Sequence, residues 1–431
     1  MTSISAIAHR VRAFSTSMKG EFLIYSASTV FLQASKMLGS LIVAKLIGPE
    51  DYGWWNSIQP LLIYGAMLHF GVLNGMSRDV PYFSGKGDNT KADLVERVSW
   101  SIILISAILA ATISLVGSFF FTDQTLRQLF QVFGPLLLFQ LAYLFHNMRF
   151  IARIRFNTLS IQQFVFGFLF FVFSILFAWI WGLNGFILAQ ALANLIVSVY
   201  AYKLSPFELR PLYDWGEAFR LAKVGFPIMG AGFLYDTLRA LDRWIILTYL
   251  GPTQVGYYTL AILVLQAITL LPSIITAQFY PRISKRFGET QSYAATYPLF
   301  IQTLKACSAL ILPFGLLIFV LIKPFTFSFL PEYVPGISAA MIITLGVTLS
   351  RPLAGTAATF LNAVGKAKWY LSIQAVVVVI QILTAIGAIN LNWGLSGVAG
   401  SVAFTQVANM LMLLGLVIYL IRIKKSEPVA S

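Results

Sequence analysis

Charged side chains embedded in long apolar runs are the residues of this chain best placed to do chemistry. An ion in hydrocarbon is costly and normally meets a partner or a wet cavity. Six such residues occur: Lys36, Asp236, Arg239, Asp242, Arg243 and Arg351. Cations outnumber acids, which points to attraction of an anion. Residues spaced i, i+3 and i+7 share a helix face, so Asp236, Arg239 and Arg243 point one way, as do Gln33, Lys36 and Ser40. Lys36, Arg239 and Arg351, with Gln33 and Arg243 beside them, are therefore the expected substrate contacts. Two readings stay open for the acids: Asp236 and Asp242 either neutralise the neighbouring arginines as local pairs or carry a function of their own. Lys36 and Arg351 have no acidic residue within a helical turn of sequence. Their alternative is to snorkel along their aliphatic stems to the outer and inner interfaces, respectively.

The elements that must carry these charges follow from composition. Of the 431 residues, 58% are hydrophobic and only 11% charged. An ordinary soluble domain has about a quarter charged residues, so this chain cannot cover itself with a solvated surface. Apolar runs of about 20 residues recur throughout, the length that crosses a bilayer as helix. Spans are expected at 22–45, 54–77, 98–121, 128–148, 158–181, 183–202, 224–247, 256–280, 297–322, 336–358, 369–391 and 396–421. The expectation is an all-α polytopic membrane protein with twelve transmembrane helices. Basic residues concentrate in alternate connections, such as Arg149, Arg153 and Arg155, whereas the opposite loops hold only Lys45, Arg127 and Lys323. By the positive-inside rule both termini are cytoplasmic.

One stretch returns. Gly48-Pro49-Glu50-Asp51-Tyr52-Gly53-Trp54-Trp55 recurs in outline, 203 positions later, as Gly251-Pro252-Thr253-Gln254-Val255-Gly256-Tyr257-Tyr258. Gly and Pro suit a tight reversal between apolar segments. The aromatic pairs are expected at a membrane–water boundary. Leu159-Ser160-Ile161-Gln162 likewise returns as Leu371-Ser372-Ile373-Gln374, and Trp181-Gly182-Leu183 as Trp393-Gly394-Leu395. Six spans thus match six spans, a parallel repeat of two lobes around a central cavity. The repeat maps Lys36 onto Arg239 and Gln33 onto Asp236. The organisation expected is a cytoplasmic amphipathic segment 1–21, a first lobe 22–202, a linker 203–223, a second lobe 224–421 and a tail 422–431.

Several functions are excluded. The net charge of +14 is dispersed between apolar runs and forms no stripe for nucleic acid. Cys307 is the one cysteine, so neither an internal disulfide nor a cysteine metal site is possible. No phosphate-cradling loop, paired carboxylates or His/Cys cluster appears, so no enzyme is expected. Gly85-Lys86-Gly87-Asp88 lacks the spacing of a nucleotide site and reads as a turn.

Phe70-Gly71-Val72-Leu73-Asn74-Gly75-Met76-Ser77-Arg78-Asp79-Val80-Pro81-Tyr82 resembles the inner end of the second span of bacterial polysaccharide flippases. The Gly48–Gly53 and Gly251–Tyr258 turns, Pro281 and Leu361–Lys366 are similar to that family too. The resemblance covers nearly the whole chain and is to the O-antigen (Wzx-type) flippases of the multidrug/oligosaccharidyl-lipid/polysaccharide exporter superfamily. It implies a lipid-linked oligosaccharide on undecaprenyl diphosphate, turned from the inner to the outer leaflet of the bacterial inner membrane by alternating access. Cations would replace water around the diphosphate. The resemblance further implies membrane lipid and polysaccharide assembly proteins as partners, no cofactor, and H+ or Na+ coupling through Asp236 or Asp242. The rival expectation is a cation-coupled exporter of small molecules, related to the drug/sodium antiporters.

Overall fold

A computed structural model of the protein describes residues 18–204 and 210–423, and every element among them is helical. The expected amphipathic segment up to residue 17, linker positions 205–209 and tail positions 424–431 lie outside the described residues. In chain order the helices are α1 Met18–Ile58, α2 Pro60–Ala66, α3 Val72–Gly85, α4 Asn89–Ser118, α5 Gln124–Ala152 and α6 Phe156–Lys203. There follow α7 Trp215–Leu250, α8 Pro252–Thr290, α9 Tyr293–Phe329, α10 Ile337–Ala363, α11 Ala367–Asn390 and α12 Gly394–Ile423. Short 3-10 turns Met67–His69 and Pro331–Gly336 precede α3 and α10. Among the described residues, eight helical stretches are long and apolar enough to cross a membrane. The chain is an integral membrane protein.

Two helices are interrupted where the sequence expects turns. In α1 the break is Gly48, at φ 79° and ψ 173°. Its counterpart Gly251 has φ 88° and ψ 172°, with Pro252 opening α8. Both copies of the turn therefore use one backbone conformation, and it is one that only glycine adopts readily. Helix α6 is 48 residues long, which at 1.5 Å per residue would reach about 72 Å, far beyond a hydrocarbon core of about 30 Å. It breaks at Trp181 and Gly182 (φ 58°, ψ −139°). A Cβ on Gly185 would lie 2.0 Å from the Phe177 carbonyl, which a straight helix would hold about 12 Å away. The chain thus reverses there.

One break was not expected. The apolar run 54–77 reads as a continuous span, yet the chain leaves helical geometry at Phe70 (φ 49°) and Gly71 (φ 87°). Local bonds hold the bend. The Gly71 amide donates to His69 Nδ1 at 3.0 Å, and Ser106 Oγ donates to the freed Leu68 carbonyl at 3.0 Å. Non-helical backbone at membrane depth persists where protein groups satisfy it in this way.

Packing divides the chain into two compact units. The first comprises residues 1–47 and 58–233, the second 48–57 and 234–431. In the first unit, Val72, Leu73, Met76 and Val80 of α3 meet Val95, Val98 and Ile103 of α4, Leu141 and Phe145 of α5, and Leu221 of α7. Helix α1 lies close on α6, where Gly167 approaches the Leu32 backbone and Gln163 Oε1 accepts from Ser28 at 3.0 Å. In the second unit, Phe300 of α9, Phe360 and Leu361 of α10, and Leu413 and Val417 of α12 form one core. Gln374 of α11 donates to Asn409 Oδ1 of α12 at 3.0 Å. Cys307 is a buried, free thiol in α9.

Candidate functional site

In the first unit, Lys36 sits on the middle of α1, half-buried, with its ammonium 5.2 Å from the centre of the Phe166 ring on α6. That distance is in the cation–π range. Among the described residues it has no ion pair. Gln33, one turn earlier on the same helix, is exposed. Gly39 beside them is filled from across by Phe170, so aromatic carbon surrounds the cation.

In the second unit, Asp236, Arg239, Asp242 and Arg243 all lie on α7 and are brought together there. Asp236, Arg239 and Arg243 are half-buried, and Arg239 interacts electrostatically with both acids. Asp242 is 5% exposed and fully engaged. Its Oδ2 accepts from the Tyr258 hydroxyl at 2.8 Å and its Oδ1 from the Arg243 amide at 2.8 Å. Tyr258 closes the second Gly-Pro turn, so that turn and the charged helix form one network. Arg351 lies on α10, half-buried, with no ion pair among the described residues. Sequence spacing thus placed the α7 group on one helix segment, while Lys36 and Gln33 belong to the other unit.

The turn copies themselves meet within the second unit. A Cβ on Gly53 would lie 1.9 Å from the Pro252 carbonyl, and one on Gly256 would lie 1.7 Å from the Pro49 carbonyl. Asn56 Nδ2 donates to Thr259 Oγ1 at 2.7 Å, and Trp244 Nε1 to the Ser57 carbonyl at 3.1 Å. This corrects the expectation for one ring of each aromatic pair, while Trp54 and Tyr257 are half-buried. Trp55 and Tyr258, the second ring of each pair, are 3% and 1% exposed. They are core residues, because turns that dock backbone to backbone leave no interface for them to reach.

The sequence also gave no sign of two ionic clusters in the first unit. Arg149, expected as a loop cation, is 2% exposed and pairs through Nε with Glu96 Oε2 at 3.3 Å. Arg153 Nε bridges Glu96 Oε1 at 2.7 Å, and its guanidinium also contacts Asp93. Farther along, Arg220 at the start of α7 pairs with Asp79 of α3 at 2.6 Å and with Glu217 at 2.8 Å. Lys91 reaches Glu217 at 3.2 Å. The Arg220 hydrogen bonds, ahead of the Lys91 ammonium, hold the Glu217 carboxyl below the usual carboxylate range. His146, on α5, is buried against Trp100. A search for acids near in sequence could not find these pairs, since Glu96 and Arg149 are 53 positions apart. No group of three His, Cys, Asp or Glu among the described residues could hold a metal.

The described residues thus form a helical membrane protein with broken helices, buried ion pairs and cations set against aromatic carbon. The chain is similar to a MATE-family multidrug resistance transporter of the MOP superfamily in its inward-facing conformation, with a TM-score of 0.79 at 16% identity over 92% of this chain and 96% of that one. It is also similar to the lipid II flippase MurJ in an inward closed conformation, with a TM-score of 0.72 at 14% identity over 92% and 87%. An outward-facing MATE structure gives 0.66 at 15% identity over 97% and 99%. These likenesses define the fold. In sequence, residues 42–332 match the model of the polysaccharide biosynthesis protein family, and the chain belongs to that family. No curated protein matches the sequence.

Proposed function

We propose that this protein is a flippase for undecaprenyl-diphosphate-linked oligosaccharide, carrying an O-antigen or exopolysaccharide repeat unit from the inner to the outer leaflet of the bacterial inner membrane. Membership of the polysaccharide biosynthesis family over residues 42–332 carries this reading. The physical chemistry agrees with it. A diphosphate crossing hydrocarbon needs cations in place of water, and Lys36 and Arg351 are membrane cations with no acid paired to them among the described residues. In this reading twelve spans form two six-helix lobes in parallel repeat, with both termini cytoplasmic, and the lobes open alternately to the two sides. Lys36, Arg239 and Arg351 meet the diphosphate, Gln33 and Arg243 flank it, and polysaccharide assembly proteins receive the product.

The test is reconstitution. Proteoliposomes holding the protein and a fluorescent undecaprenyl-diphosphate oligosaccharide should move label from the inner to the outer leaflet faster than empty vesicles do. Equal rates would end the proposal.

A second reading, export of small molecules coupled to H+ or Na+, is favoured by the TM-score of 0.79 to a multidrug transporter. It would give Asp236 or Asp242 the coupling role. Raised drug resistance on overexpression, abolished by Asp236→Asn, supports it; unchanged resistance removes it.

A further inference from the structure

We propose that the groove beside the helix break at His69–Gly71 holds the isoprenoid chain of a polyprenyl phosphate, with Lys223 against the phosphate. The groove lies wholly in the first unit and has a volume of about 790 Å³. Its far wall is one stripe of α7. Trp215, Phe219 and Phe226, with the small Ala218 and Ala222 between them, recur at helical spacing and face it. Phe70, thrown outward by its left-handed backbone, closes the near side. Trp215 and Phe219 are 68% and 74% exposed, so the unit itself does not cover these rings.

Two polar groups interrupt the carbon. His69 lines the groove and is only 5% exposed. Its Nδ1 accepts from the Gly71 amide. Lys223 is the lining's cation, exposed and without an ion pair among the described residues. The lining contains no acidic residue. A wall of rings and one free ammonium select an apolar chain that ends in an anion. The break explains why the groove exists: a straight helix through residues 66–72 would carry no outward Phe70 and would leave His69 Nδ1 without the Gly71 amide.

The choice of an isoprenoid over a phospholipid acyl chain rests on the lipid-linked substrate proposed above. The experiment keeps the two ideas apart. The full-length protein in phosphatidylcholine nanodiscs is irradiated with a diazirine-bearing polyprenyl phosphate, or with a diazirine-acyl phosphatidylglycerol at the same concentration. Cross-links are then mapped by peptide mass spectrometry. The polyprenyl probe should label the 215–226 segment, and unlabelled undecaprenyl phosphate should compete it away. Lys223→Glu, an exposed site that leaves folding intact, should weaken labelling about tenfold, the loss of one charge-assisted contact. Ala222→Trp, which fills the groove, should abolish it. Equal labelling by the phosphatidylglycerol probe, or labelling unchanged in Lys223→Glu, would overturn the proposal. Leaflet transfer that persists in a protein unlabelled at 215–226 would sink the groove and spare the flippase. Specific labelling without any transfer would do the reverse.

Discussion

Asn56 Nδ2 donates a 2.7 Å hydrogen bond to Thr259 Oγ1, and the two residues occupy the same position in the two copies of the Gly-Pro turn, 203 residues apart. A residue can touch its own counterpart only near a two-fold axis relating the copies. The flanking contacts confirm that geometry, since Gly53 meets Pro252 while Gly256 meets Pro49, each contact the exchange of the other. Both side chains are buried, at 4% and 2% exposure. Removing either partner should therefore cost about 1–3 kcal/mol by orphaning the other. In a cycle of Asn56→Ala, Thr259→Ala and the double variant, unfolding in mixed micelles should give a coupling of about 1 kcal/mol. Additive losses would show that the bond contributes nothing.

Gly53→Ala and Gly256→Ala probe the same junction from the backbone side. A Cβ at either site would fall within 2 Å of a carbonyl oxygen belonging to the other turn. Backbone cannot swing away as a side chain can, so each substitution should destabilise the protein by about 1–3 kcal/mol. Gly288→Ala, on an exposed face with no atom within 4 Å of the new Cβ, is the control and should be silent in the same thermal unfolding assay.

Glu96 carries a heavier load, because it neutralises both Arg149 and Arg153 while 2% exposed. Breaking a buried pair by removing one partner leaves an uncompensated charge and typically costs about 3–5 kcal/mol. Glu96→Gln should lower the unfolding midpoint sharply. Replacing both partners, Glu96→Leu with Arg149→Met, should recover most of that loss, since the desolvation cost vanishes with the charges. A double variant as unstable as the single one would show that Arg153, not Arg149, sets the cost.

How much of this was legible in the sequence depended on whether the signal was local. Long apolar runs and the Gly-Pro turns are local features, and the helices and the Gly48 and Gly251 breaks followed from them. The bend at Phe70–Gly71 was hidden because the run 54–77 is uniformly apolar and the bonds that hold the bend come from His69 and from Ser106 on another helix. The membrane charges and the pairing of Asp236 and Asp242 with neighbouring arginines on one helix were legible from spacing, but partners on other helices were not. Asp242 is held by Tyr258, 16 positions on in the next helix, and Arg149 by Glu96, positions that only tertiary packing joins. The repeat was the exception, a long-range relation written in register, although the contact between Asn56 and Thr259 at equivalent positions was seen only in the structure.

Glu217 gives the protein a predictable response to acid. Its folded carboxyl titrates below its unfolded value because Arg220, then Lys91, bond the carboxylate. A lowered folded value means the stabilisation is complete above the unfolded carboxylate range, near about pH 4.3, and disappears as pH falls through the folded value. The stability gap between the wild type and Glu217→Gln should therefore be constant from about pH 8 to 5 and close below about pH 4. A gap that opened with acid would reverse the assignment.

The cations without acid partners are the sharpest test of the proposed transport. A structural arginine or lysine that only snorkels tolerates its conservative exchange and, at the interface, much of a charge change. A cation that stands in for water around a diphosphate tolerates neither loss nor reversal. Lys36→Glu and Arg351→Glu should cut leaflet transfer about ten- to a hundredfold, the size of one or two charge-assisted hydrogen bonds. Lys36→Arg should keep most of it, because the ring of Phe166 receives a guanidinium as readily as an ammonium. Thermal unfolding separates defect from collapse: the reversed variants should melt near the wild type, whereas Glu96→Gln should not. Transfer at wild-type rates in both reversed variants would remove Lys36 and Arg351 from the substrate's path.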